Sequence, residues 1–161
     1  MLKTRLWSIL LSSLALSVGA AETKRIVIVA GKPSHGPLQH EHYAGSMLFK
    51  KCLASVPDVE VIVHKNGWPK SDGAFDGADA IVFFVTGGKA HDAIQGNHLA
   101  VLRPLMDQGV GFGCIHYGVE VPAESGGSEF LSWMGGYFET HWSVNPHWDA
   151  DFKVIPDHPI T

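Results

Sequence analysis

The chain has 161 residues, with 12 Lys or Arg against 16 Asp or Glu and a formal charge of −4 when histidine is neutral. Its cations are scattered rather than clustered, which excludes a basic nucleic-acid-binding surface. Eighteen glycines and nine prolines suit one loop-rich domain and not a disordered segment.

Residues 1–20 read as an export signal. Lys3 and Arg5 form a basic start, Leu6 to Val18 is an apolar run, and Val18-Gly19-Ala20 is a small-residue cleavage site. Cleavage after Ala20 or Ala21 fits equally well. The run is shorter than the roughly 20 residues a bilayer crossing needs, so no stable membrane span is expected after cleavage. A secreted or periplasmic location follows, with residues 21–161 as one domain.

Ile26-Val27-Ile28-Val29-Ala30 is an unbroken apolar run, the mark of a parallel strand covered on both faces. Glu41 to Val56 has helical periodicity and stops before Pro57. Val59 to Val63 reads as a second strand. Asp76-Gly77-Ala78-Asp79 is turn-forming, and Ala80 to Val85 is a third strand. Asn97 to Gln108 reads as a helix with Asn97 as N-cap and Gly109 past its end; Pro104 is expected to kink or shorten it. Val110 to Ile115 is a fourth strand, and Asp151 to Ile155 a last one. Strands alternating with helices predict an α/β fold with a three-layer, doubly wound, mostly parallel sheet.

The two cysteines are expected to be separate buried thiols. Cys52 would share a helix face with Ala44, Met47 and Leu48, and Cys114 would end a buried strand. A disulfide would need Cα atoms within about 7 Å.

Residues 109–118, Gly-Val-Gly-Phe-Gly-Cys-Ile-His-Tyr-Gly, read as a strand running into a sharp elbow. Such an elbow lifts one side chain above the sheet and tolerates only small residues two before and two after it. Cys114 and Gly118 are that small pair, which puts His116 on the elbow. Cys114 cannot take the position, because Phe112 and His116 would then have to be small. Thiol chemistry is thus disfavoured, and a metal ligand or proton-transfer group is expected.

Ligands of open parallel sheets bind beyond the carboxyl ends of the strands. Gly31 to Gly36 with His35, then His40 and His42, follow the first strand. Thr86-Gly87-Gly88 follows the third, and His116, Tyr117, Gly118 and Glu120 follow the fourth. Gly135 to His141 brings a further histidine, with His147 beyond it. His116 and Glu120 are the candidate catalytic residues, and Gly87, Gly88, Tyr117 and His42 the candidate substrate-binding ones. His35, His116 and His141 are candidate ligands of a divalent metal such as zinc. His40 reads more readily as a residue that satisfies the loop backbone than as a site residue. His64, His91, His98 and His158 are expected at the surface or in loops. Neither Ser34 nor Ser128 has an elbow around it, so a Ser/His/Asp enzyme fits poorly. Trp133, Tyr137, Phe138, Trp142 and Trp148 would either stack on sugar faces or fill the core.

The first strand with Ser34-His35-Gly36, the glycine-rich strand leading to Ile115-His116, Gly135-Gly136-Tyr137-Phe138 with His141, and Asp157-His158-Pro159-Ile160-Thr161 together resemble the ThuA-like (trehalose utilisation) family, within the class I glutamine amidotransferase-like superfamily. The resemblance implies a flavodoxin-like fold, a link to sugar metabolism and a small-molecule sugar ligand. It also implies an elbow without the amidotransferase cysteine. The family runs on past the His-Pro-Ile-Thr stretch, so 21–161 is expected to be an incomplete domain. Either an enzyme acting on a carbohydrate or oxidised sugar, by hydrolase, lyase or isomerase chemistry, or a carbohydrate-binding module of the same fold satisfies these residues. The oligomeric state is not encoded in any of these features.

Overall fold

The computed structural model describes residues 22–142, 147–151, 153 and 157. The export signal expected over 1–20 and most of the strand expected over 151–155 lie outside the described residues; Asp151 and Lys153 have no regular structure. Four strands, β1 (Lys24–Ala30), β2 (Val59–Lys65), β3 (Ala80–Phe84) and β4 (Gly111–Cys114), pair in parallel in the order β2-β1-β3-β4. Register is fixed by pairs such as Ile28 with Val63, Ile28 with Val82, and Phe83 with Cys114. The chain is α/β with a mostly parallel sheet. Strand order reverses between β1 and β3, and the site lies beyond their carboxyl ends.

Helices cover both faces. Val27, Val29, Ile81 and Phe83 are fully buried against α2 (His98–Asp107) and α3 (Ser128–Met134), through Leu102 and Phe130. Phe84 points the other way, as the strand period requires, and meets α1 (His42–Leu53) at His42 and Gly45. Beyond β4 the chain adds a short parallel pair, β5 (Glu120–Val121) and β6 (Phe138–Glu139).

Two expectations about packing are corrected. α1 contacts the sheet through His42, Gly45 and Ser46 rather than through Met47, Leu48 and Cys52, which are exposed. The reason is steric, since a side chain at Gly45 would collide with the Phe84 ring and only a small residue lets the helix approach. Both cysteines are unpaired, Cys52 exposed and Cys114 half-buried. Pro104 does not end α2, which continues to Asp107. A carbonyl loses its amide partner there, and Leu102 and Leu105 keep the helix seated on the core. Among the described residues no helix is long and apolar enough to cross a membrane.

Candidate functional site

β4 ends at Cys114, Ile115 is extended, and His116 then takes a left-handed backbone with φ of +57°. For a residue with a Cβ that conformation costs about 1–2 kcal/mol. The surrounding bonds enforce it. Ile115 N–H donates to the Phe83 carbonyl at 2.9 Å, and Gly118 N–H donates back to the Ile115 carbonyl at 3.1 Å. A methyl group on Gly118 would stand 3.2 Å from the Phe83 carbonyl oxygen and 3.8 Å from Cys114 Cβ. At Gly118 the small residue that the spacing predicts therefore sits tightly against the Phe83 carbonyl. His116 itself is exposed.

The loop after β1 meets this elbow. His116 lines a cleft of about 310 Å³ with His40, His42, Tyr117, Phe84 and Val85. His40 is at its centre: its ring centroid lies 5.2 Å from His116, 3.9 Å from His35 and 6.2 Å from His42. On the far side of His40 and His42 a second cleft of about 380 Å³ opens, lined by His35, Tyr43, Lys65 and Asn66. His42 is buried, and its Nδ1 lies 3.1 Å from the Lys32 carbonyl, so it donates there and leaves Nε2 as an acceptor. His35 Nδ1 bonds the Ser34 hydroxyl at 2.9 Å. Partial burial, then the neighbouring rings of His35, His116 and His42, push the His40 pKa down. The shift favours the neutral form of that ring.

β1 and β4 are not neighbours, because β3 lies between them. The loops after β1 and β4 nonetheless converge, since the β1 loop reaches across the end of β3 at Phe84 and Val85.

Gly87 and Gly88 lie beneath the elbow, not in the open cleft. Any side chain on Gly87 would overlap the Tyr117 carbonyl, and Gly88 has φ of +63° beside the Tyr117 hydroxyl. Glu120 is near the same hydroxyl and accepts a bond from the Thr140 hydroxyl at 2.9 Å. Burial, then the Glu120 carboxylate, raises the Tyr117 pKa. His141 is exposed with φ of +74° and is not among the residues lining either cleft. Among the described residues no group of three or more His, Cys, Asp or Glu side chains is arranged to hold a metal ion. His35, His116 and His141, all among the described residues, are not gathered into such a group.

The sequence pattern did not single out His40 as a site residue, although three histidines within eight residues, across the loop after β1 and the first residue of α1, were a usable signal. Of the histidines expected at the surface or in loops, His91 does lie in a loop, whereas His64 and His98 lie in β2 and α2, and all three are wholly or partly buried. His91 is fully buried. His98 is half-buried and stacks on Trp68 with centroids 3.8 Å apart. His64 is half-buried in β2, where burial lowers its pKa. His158 lies outside the described residues. Cys114 faces inward, 3.9 Å from His91 Nε2, and burial pushes its thiol up to about 12. It is no nucleophile at neutral pH. Of the aromatic residues, Trp133 packs on Phe112, Tyr137 bonds Glu139 at 2.9 Å, and Phe138 is half-buried in β6. Trp142 and Trp148 are exposed, and none of the five lines the histidine clefts.

No protein-family model, curated protein or solved structure matches the chain.

Proposed function

We propose that the chain is a secreted or periplasmic, ThuA-like domain that binds a small carbohydrate or oxidised sugar in the histidine-lined cleft and moves a proton next to its carbonyl. The observation that carries this reading is the backbone of His116. A strained, non-glycine residue exposed at the end of a sheet strand is a common signature of a working side chain. The cleft volume is at the small end of ligand sites, suited to one sugar ring, with Phe84 and Val85 as an apolar floor.

In the proposed step the neutral His40 ring takes the proton from the carbon beside the carbonyl. His116 donates one to the carbonyl oxygen, which gives an enediol. His40 then returns its proton to the former carbonyl carbon while His116 takes the proton of the neighbouring hydroxyl, which completes an isomerisation; departure of a β-substituent with its bonding pair, protonated by His40, would instead complete an elimination. Cys114 contributes no nucleophile, in keeping with an elbow that has lost amidotransferase chemistry.

The test is deuterium exchange. Oxidised mono- and disaccharides incubated in D2O should acquire deuterium at the carbon beside the carbonyl. His116→Ala and His40→Ala should each slow this by about 100-fold or more, with the thermal melt unchanged. A second reading, a binding module without chemistry, draws on the exposed Trp142 and Trp148 rings. It predicts sugar binding without exchange, insensitive to His116→Ala and lost in Trp142→Ala. Elemental analysis of the purified protein before and after chelation tests for zinc or another divalent ion.

A further inference from the structure

His91 takes no part in the proposed proton transfer, yet the fold places it directly beneath the elbow. It is fully buried, with its ring edge-on to Phe130 at 5.1 Å and tilted against Phe83 at 5.4 Å. An imidazole in such surroundings is costly unless its nitrogens are partnered. Nδ1 accepts the Ala93 N–H at 3.0 Å, so the ring hydrogen belongs on Nε2. That nitrogen faces the Gly118 backbone, to which the ring is hydrogen-bonded, and Cys114 Sγ at 3.9 Å. Gly118 and Cys114 are the two small residues that flank His116. One buried ring thus ties the turn after β3 to both shoulders of the elbow.

We propose that His91 is the positioning residue of His116: its ring, fixed as the Nε2–H tautomer by the Ala93 amide, holds the Gly118 side of the turn so that His116 keeps its left-handed backbone. The inference rests on the reading of His116 as the working side chain, but its test reads the free protein. Burial keeps the ring neutral, with a pKa of about 4, so the donor and acceptor assignment holds at neutral pH. A phenylalanine at 91 would fill the same space but leave the Ala93 N–H and the Gly118 backbone unpaired.

Nitrogen-15 NMR of the wild-type protein at pH 7 should show Nε2 protonated and Nδ1 bare at His91; the opposite tautomer overturns the proposal. In His91→Phe, hydrogen exchange at the Gly118 amide should rise about tenfold relative to Val27 and Val29 of β1. His91→Gln, whose carboxamide can accept from Ala93 and donate to Gly118, should restore most of the protection. A uniform rise across β1 and the elbow, or no rise at Gly118, would mark His91 as core filling alone. Should His91→Phe fail to fold, the wild-type tautomer and His91→Gln decide, with Gly118 protection retained in the latter as the expected result and its loss as the overturning one. Sugar-dependent deuterium exchange in the wild type is scored separately, so its absence would defeat the proposed function and leave the positioning result standing.

Discussion

Below the elbow the chain packs His91 and Cys114 among Phe83 and Phe130; above it, His116 and His40 stand over a cleft open to solvent. The same side-chain type serves on both sides, and the surroundings divide the roles. Buried and bonded at Nδ1, His91 has one tautomer and no accessible proton. His116, exposed on a strained turn, has two ring nitrogens that a ligand can meet. The chemistry of a histidine in this fold is set by which side of a four-residue turn it occupies.

The largest expected break in that contrast is mechanical. Phe83→Ala, beneath the elbow, should cost about 3–5 kcal/mol, whereas His116→Ala should stay within about 0.5 kcal/mol in a denaturant melt. Comparable losses for the two would put His116 in the core and end its role at the surface.

The next is a matter of charge. The His91 pKa is lowered from the ordinary 6.5 to about 4, chiefly by burial. A base whose folded pKa lies below its unfolded one takes up its proton first in the unfolded chain. Its stabilising effect is therefore complete above about pH 6.5, declines as pH falls toward 4, and levels off below that. The decline should amount to about 3 kcal/mol. Chemical denaturation at pH 7 and pH 4.5 would measure it, and His91→Gln should remove most of the difference between the two. His40 and His64 are lowered too and slope the same way, so the subtraction against His91→Gln isolates the buried ring.

The smallest effect has the opposite sign. Glycine accepts φ of +57° without penalty, so His116→Gly should be more stable than His116→Ala by about 1 kcal/mol while losing function as completely. Equal stability of the two variants would show that the left-handed backbone carries no strain.

The sheet and the elbow were legible in the sequence because both are local patterns. An apolar run such as Ile26 to Ala30 fixes a covered strand, and small residues two before and two after one position fix a turn. The loops after the first and fourth strands were also legible as carriers of site residues, although β3 separates the two strands. What stayed hidden depended on contacts distant in sequence. The inward turn of His91 follows from Phe130 and Gly118, and nothing in Gly-Lys-Ala-His marks it. The outward turn of Met47 and Leu48 follows from Gly45 meeting Phe84, which overrides the apolar periodicity of the helix. Gly87 and Gly88 read as substrate-binding residues, yet Gly87 is needed because the Tyr117 carbonyl occupies the space of its side chain.

The strand order also has a consequence for how the molecule comes into being. β1, at the centre of the sheet, must wait for two later segments, since β2 and β3 both emerge after it, and each parallel pairing requires a crossover. Such non-local closures are slow to form. β4 can dock only once β3 is in place, and the bend that lifts His116 exists only after β4 has docked. A refolding chain should therefore acquire sheet signal before any ligand affinity. The histidine cleft would be the last thing made and the first thing lost.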